Sequence, residues 1–434
     1  MDNMEFRSSQ SAGHQLDPCG FSLTIPNIQA LAHYNKKNAT TALLGLTSNN
    51  TSLPAGNSDV ATIYHELFHV FQANATRCVF DYFYLVDHLQ QKRTELLGLL
   101  GKIQFFSLAD DEMLESCLSV FHCADNTGIE PLKQISDLNL ELVEDLTKYF
   151  AIPGDSVGDS VGDSTIHTFE IIEGSAEVFG LCCGGFDAFA QLDQRLEQLS
   201  QSKQQMINNE MYLKAYKLFK SHHGQTPIVF LIQCLLSLRY GSITGYSGTT
   251  PADIFIWCLA RLEIWEDLLN DGMTHSQPIN QNFEMVSSQL IETMSHAIEG
   301  QFYTVKITSI HDEPQTHSDS IFMQSIANIR TQMPASRDIT FIIDLVLNEK
   351  TPYALAKQFM VNSAQLASLS ATHEVVYQFE KLLMHGPEGD FSLNCCPRHG
   401  EVGSTDDWVN CTEHNSFKNQ LLSQFNITVP DYFL

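Results

Sequence analysis

Residues 61–72 read ATIYHELFHVFQ, and the expectations for the rest of the chain start from this stretch. On an α-helix, His65 and His69 project from one face, one turn apart, so both imidazoles can reach a single metal ion. Apolar residues surround the two histidines, which predicts a buried helix over about 60–75. Glu66 follows the first histidine and is placed to act as a general base on water.

A simpler interpretation of the same stretch is a buried helix whose histidines are only hydrogen-bonded, because buried polar groups normally find partners. However, burying two histidines and a glutamate among apolar residues is costly unless a partner or a metal compensates. Three specified positions also match by chance only rarely in a chain of this length. The stretch therefore favours metal binding.

A catalytic zinc ion normally has three protein ligands and one position open for water. Residues 169–180, FEIIEGSAEVFG, offer the third ligand. Glu173 and Glu177 lie one turn apart on one helix face, so one carboxylate can bind the metal. The other can accept the outward N–H of a metal-binding histidine and orient its ring. Glu170 is the competing ligand, and the small Gly174 is expected to let the two helices approach closely.

HELFHVFQ followed by EGSAEVFG resembles the HExxH zinc metallopeptidases whose third ligand is a glutamate on a downstream helix, the gluzincins. The resemblance covers two short stretches of the 434 residues. It implies that His65, His69 and Glu173 bind the catalytic zinc, that Glu66 is the base, and that Glu177 supports a ligand from behind.

Such a site also needs a group that stabilises the oxyanion of the transition state. The candidates are His223, which follows a predicted helix, and Tyr246, which lies in a glycine-rich turn. His222, Tyr240 and His167 are further candidates. For each of them the alternative is a surface histidine or a core tyrosine without a catalytic role.

The C-terminal stretch 394–415, NCCPRHGEVGSTDDWVNCTEHN, contains two Cys-x-x-His pairs. Four ligands at this spacing suit a closed tetrahedral zinc ion, which would be structural because it leaves no position for water. The segment CPRHG resembles a zinc knuckle with histidine in place of the second cysteine. Free thiols and surface histidines are the alternative, and Cys395 competes with its neighbour as a ligand. The four predicted ligands are Cys396, His399, Cys411 and His414.

The charge balance excludes two classes of partner. The chain has 24 Lys and Arg against 51 Asp and Glu, a formal net charge of -27. Broad nucleic-acid surfaces and anionic lipid both require clustered bases, so we expect neither nucleic acid nor membrane as a partner. The base-poor surface instead favours cationic substrates by long-range attraction.

The expected compartment is the cytoplasm. We find no signal peptide and no transmembrane segment in the sequence. The eleven cysteines are an odd number, which is typical of reduced thiols.

These patterns predict an α+β fold that is predominantly helical. A small N-terminal β-sheet, from the short apolar runs between 21 and 48, would pack on the helix that carries His65, and the C-terminal half would be helical. The predicted organisation is a loose leader at 1–20, a zincin-like catalytic domain at 21–270 with a helical insertion at 80–165, a helical domain at 271–385, and a zinc-bound tail at 386–434.

The function expected from the sequence is that of a zinc metallopeptidase with two zinc ions, one catalytic and one structural, acting on protein or peptide substrates. One alternative is a non-catalytic metal-binding regulatory protein with a degenerate metalloprotease core. Another is a zinc hydrolase that cleaves some other bond, because the motif specifies activated water and not the bond attacked.

Overall fold

The structure is a computed structural model, and it describes part of the chain. The described residues are 15–17, 22–25, 28–46, 56–84, 166–201, 206–241, 249–273, 277–302 and 321–360, with the single positions 419 and 423. The chain divides into two compact units, and nearly all of the described residues belong to the first, which comprises Met1–Tyr84 and Phe150–Val361. The predicted domain boundaries stay predictions.

Helices make up most of the described part of the first unit. Two short 3-10 helices, Ile28–His33 and Pro334–Arg337, accompany the α-helices. The α-helices among the described residues are α1 (Lys36–Leu43), α2 (Ser58–Ala75), α3 (77–84), α4 (Thr168–Cys183), α5 (Ala188–Gln201), α6 (Met206–Ser221), α7 (Pro227–Tyr240), α8 (Pro251–Leu259), α9 (Leu262–Met273), α10 (Ile279–Gln301), α11 (Ile321–Gln332), α12 (Phe341–Leu347) and α13 (Thr351–Met360).

Helix α2 lies at the centre of this unit, and fourteen of its eighteen residues are buried. It begins where the side chain of Asn57 accepts a hydrogen bond from the backbone N–H of Val60, which satisfies one of the free donors of the first turn. Its aromatic side chains hold α4 against it. Phe68 stacks on Phe179 with ring centroids 4.5 Å apart, and Tyr64 contacts the same ring at 6.0 Å.

Helices α4 and α7 extend this core. Twelve of the sixteen residues of α4 are buried, because it packs against α1, α2, α6 and α7. Helix α7 is buried all the way round from Pro227 to Leu238, which is typical of a helix inside a core. Helices α2, α4 and α7 thus form the buried core of the described part of this unit.

The predicted α+β class with a small N-terminal β-sheet is wrong, because the described residues are helical. The first half of the run TTALLGLT, predicted as a strand, lies in α1, which Asn35 caps through the backbone N–H groups of Lys37 and Asn38. The hydroxyls of Thr40 and Thr41 bond back to carbonyls one turn earlier, so these β-branched residues fit the helix. Among the residues of this region that the structure describes, extended strands are limited to two antiparallel three-residue segments, Gln15–Asp17 and Ser22–Thr24, too short to form a layer.

None of the helices that the structure describes combines the length and the apolar character needed to cross a membrane.

Candidate metal centre and active site

The site forms where α2 and α4 lie side by side. Gly180 on α4 and Gly184, one turn later at the C-cap of α4, face α2. A Cβ atom added to Gly180 would lie 2.5 Å from the carbonyl oxygen of Ala61 and 3.0 Å from Cβ of His65. Only glycine allows so close an approach. Gly174 was expected to let α2 and α4 approach closely, and this prediction is wrong. Gly174 faces α6 instead, where the nearest atom is Cβ of Ala215 at 3.3 Å.

This approach brings His65, His69 and Glu173 together as a group that could hold a metal ion. The two Nε2 atoms are 3.2 Å apart. The carboxylate atom Oε2 of Glu173 lies 3.6 Å from Nε2 of His65 and 3.4 Å from Nε2 of His69. In a tetrahedral zinc site, bonds of about 2.0–2.2 Å place neighbouring ligand atoms about 3.3–3.6 Å apart. The three atoms therefore have the spacing of one face of such a tetrahedron.

The hydrogen bonds of Gln72 determine which nitrogen of His69 faces this group. The side-chain amide nitrogen of Gln72 donates to the carbonyl oxygen of Ile172 at 3.1 Å and to Oγ of Ser175 at 2.9 Å. Because a carbonyl can only accept, the other end of the amide is the oxygen, and it lies 2.9 Å from Nδ1 of His69. Nδ1 must then carry the proton, and Nε2 presents a lone pair.

Glu177 has the same effect on His65. Its Oε2 lies 3.2 Å from Nδ1 of His65, so that nitrogen donates and Nε2 is left facing Glu173, where it can carry a proton or give a lone pair to a metal ion. The second carboxylate oxygen, Oε1, accepts from a guanidinium nitrogen of Arg195 at 2.5 Å. Both imidazoles are thus oriented from behind, the arrangement that metal-binding histidines normally show.

The pKa values show how strongly the group attracts positive charge. Burial lowers the pKa of His65, but hydrogen bonds to Glu173 and Glu177 outweigh it and raise the pKa to about 10. Burial raises the pKa of Glu173, but the neighbouring histidines hold it well below its usual range. The pKa of Glu177 is also lowered, by His65 and Arg195 against the effect of burial. A proton and a metal ion would therefore compete for the same buried position.

Glu170, the competing ligand, does not belong to this group. One of its carboxylate oxygens accepts from the backbone N–H of His167 at 2.7 Å and so caps α4. The other forms an ion pair with Lys214 at 2.9 Å. The structure thus brings Glu173, and not Glu170, to the two histidines.

A cavity of about 330 Å³ opens beside the metal-binding group. Glu66 lines it next to His65, as a base acting on water in this cavity must. The same face of α2 continues along the cavity towards the helix N-terminus for about two turns. The lining residues of α2 are Ser58, Ala61, Thr62, His65 and Glu66, and those of the other walls are Glu177, Leu181, Phe186, Gln191, Arg195 and Tyr212.

The electrophile candidates do not line this cavity within the described residues. His223 is exposed, on the turn after α6, with a φ of 65°. His222 is exposed and bonds to the carbonyl of Leu218, while Tyr240 donates to Glu299 at 2.7 Å. Tyr246 lies outside the described residues.

Tyr212, on α6, lines the cavity, which the described candidates do not. Its ring centroid lies 6.0 Å from that of His65, and it lines the cavity together with Glu66. The charge of Glu173, followed by burial and the charge of Glu177, raises the pKa of its hydroxyl, so the group stays protonated and can donate. No local pattern marks Tyr212 in the sequence, because packing of α6 on α4 places it.

Gln72 and Arg195 were also missed. Gln72 was within reach of sequence reasoning, since it lies three residues after His69 on the same helix face. Arg195 lies eighteen residues from its partner Glu177 and carries no such signal. The predicted structural zinc ligands, Cys396, His399, Cys411 and His414, together with Cys395, lie outside the described residues.

Comparison of the chain with known protein families, with curated proteins and with solved structures found no match. The chemistry of the site therefore has to be inferred from its own geometry.

Proposed function

We propose that this chain is a zinc-dependent metallopeptidase of the gluzincin type. The observation that carries the proposal is the set of three possible ligand atoms, Nε2 of His65, Nε2 of His69 and Oε2 of Glu173, at mutual distances of 3.2 to 3.6 Å. These three buried atoms can stay in mutual contact only when a proton or a metal ion lies between them. Two imidazoles and one carboxylate are a ligand set that catalytic zinc commonly uses.

Each residue around this ligand set would have its own role in hydrolysis. When bound, zinc would supply a Lewis acid that polarises the peptide carbonyl and lowers the pKa of water. Glu66 would take the proton from the attacking water and pass it to the leaving nitrogen. Tyr212 would donate a hydrogen bond to the oxyanion of the transition state. Gln72 and Glu177 would hold the two imidazoles in the orientation that the ligand set requires.

The substitution Glu66→Gln tests this proposal. It keeps the size and polarity of the side chain but removes the base, so we expect peptide hydrolysis to fall by about 10²- to 10⁴-fold while zinc content is unchanged. The measurement is a comparison of newly formed peptide termini by mass spectrometry after a proteome digest is incubated with each zinc-loaded protein.

Glu292→Gln is the matched control, because Glu292 is an exposed residue of α10 that does not line the cavity. This variant should cleave like the wild type. Full hydrolysis by a zinc-loaded Glu66→Gln protein would contradict the mechanism. A wild type that binds zinc but forms no new termini would favour the regulatory alternative.

A further inference from the structure

Arg195 is the one Lys or Arg side chain among the described residues that line the cavity. Its position relative to the metal-binding group is determined by a short chain of contacts. His65 donates through Nδ1 to one oxygen of Glu177, and Arg195 donates to the other. Arg195 is thus coupled through one carboxylate to a ligand of the proposed zinc ion.

The guanidinium of Arg195 is accessible to a second partner. The side chain is 45% exposed, although it belongs to the wall of the cavity. Its bond to Glu177 engages one of three nitrogens, and a guanidinium carries five N–H donors in a planar fork. It can therefore hold Glu177 and a further carboxylate at the same time.

Both carboxylates that line the cavity already have partners or an assigned role. Glu177 uses one oxygen for His65 and the other for Arg195. Glu66 is assigned to water in the proposed reaction. A cationic substrate group would have to compete for these carboxylates, whereas an anionic group meets Arg195 directly. Within the cavity this contact outweighs the long-range attraction for cations expected from the net charge, because salt screens charges beyond about 8–10 Å.

The dimensions of the cavity favour a short substrate segment on this side. A volume of about 330 Å³ is at the lower end of the range for small-ligand sites, about 300–1,000 Å³. The apolar Leu181 and Phe186 line the cavity with Arg195 and offer contact for one side chain. A short segment that ends near a guanidinium matches the end of a peptide better than its middle.

We propose that Arg195 is a specificity-determining residue that binds a carboxylate of the substrate, the C-terminal carboxylate of a peptide in the first place. This inference rests on the proposed peptidase function and names the substrate class for it. An Asp or Glu side chain would present the same chemical group, so the test includes both sources.

The test measures binding and does not require turnover. The probes are acetylated tripeptides that are identical except for a free C-terminal acid, a C-terminal amide, or an amide with an internal Glu. Their dissociation constants are measured by calorimetry on zinc-loaded Glu66→Gln protein. We expect the free acid to bind about 10- to 100-fold more tightly than the plain amide, since hydrogen bonds between charged groups are the strong ones.

The same measurements are then made with Arg195→Gln added. This second change should abolish the preference for the acid, and Arg195→Lys should restore part of it. Lys217→Gln, which removes a positive charge from an exposed position on α6, should leave the preference intact. Zinc content is measured for every variant, so that an altered site is recognised.

Three outcomes would overturn the inference. They are equal binding of acid and amide, binding of neither, and a preference for the acid that survives Arg195→Gln. The last would mean that the carboxylate binds the zinc ion itself. Tighter binding of the internal Glu amide than of the free acid would assign Arg195 to an acidic side chain instead of a chain end. Failure of the peptidase proposal is detected separately, by unchanged hydrolysis in the Glu66→Gln single variant.

Discussion

At the scale of single residues, local spacing predicted the two histidines of the site. Tertiary packing determines the positions of Tyr212 and Arg195. His65 and His69 are four residues apart, and that spacing alone places both imidazoles on one side of α2. Glu173 was predicted from its neighbourhood and from the resemblance, and the structure places it beside the histidines. Tyr212 and Arg195 could not be predicted, because contacts between helices distant in sequence bring them to the cavity.

The residue Gln72 yields a prediction of its own. In Gln72→Leu, Nδ1 of His69 loses its acceptor, so the ring is no longer held with Nε2 towards the metal. We expect the dissociation constant for zinc to rise about 10- to 100-fold, as for other residues that support a ligand from behind. Competition with a fluorescent chelator measures this constant.

The matched control is Gln233→Leu. Gln233 is also fully buried, and its amide donates to the carbonyl of Phe255 at 2.9 Å, far along the chain from the metal ligands. Both variants should lose stability by about 1–3 kcal/mol, because each removes the hydrogen bonds of a buried side-chain amide. Unchanged zinc affinity in Gln72→Leu would contradict the assigned role.

At the scale of elements, long apolar patterns predicted helices well and short ones misled. The pattern at 60–75 became α2, and the predicted helix around the glutamates became α4. The stretch 40–47 is rich in Thr and Leu, which suits a strand, but the cap at Asn35 and burial of Ala39, Ala42 and Leu43 favour a helix. Capping and packing outweigh the strand propensity of this stretch, and a short sequence pattern reveals neither of them.

Packing of α4 on α2 predicts the effect of Gly180→Ala. The new methyl group would meet the carbonyl oxygen of Ala61 and Cβ of His65, so the helices must separate. We expect a loss of about 1–3 kcal/mol in the free energy of unfolding, measured in urea, together with weaker zinc binding.

Gly300→Ala is the control, because an added Cβ at that position of α10 has no atom within 4 Å. Alanine is the better helix former, so this variant should be unchanged or more stable by up to about 1 kcal/mol. If Gly180→Ala is as stable as the wild type, the close approach of the two helices does not constrain the site.

At the scale of the whole molecule, composition restricted the partners but said little about the fold. The net charge of -27 argues against nucleic acid and anionic lipid, and those exclusions stay predictions. Three of the acids, Glu66, Glu173 and Glu177, lie at or beside the metal-binding group, where a divalent ion would offset part of their charge. The acidity of the chain is therefore not in itself a sign of its substrate.

Metal content provides the prediction at this scale. We expect about two zinc ions for each chain by elemental analysis, one at His65, His69 and Glu173 and one at the C-terminal Cys-x-x-His pairs. Joint substitution Cys396→Ser and Cys411→Ser should leave one ion and leave hydrolysis measurable. Joint substitution His65→Ala and His69→Ala should also leave one ion but abolish hydrolysis. Two ions retained in either double variant would disprove the corresponding site.

The distance along the chain between the two halves of the site also affects how the protein is made. Residues 76–167 separate α2 from α4, so a growing chain has no complete ligand set until Glu173 has emerged from the ribosome and α4 has docked. Joining segments so far apart costs loop-closure entropy, and topologies rich in such long-range contacts fold slowly. Capture of the proposed metal ion would therefore be a late event in the biogenesis of each molecule.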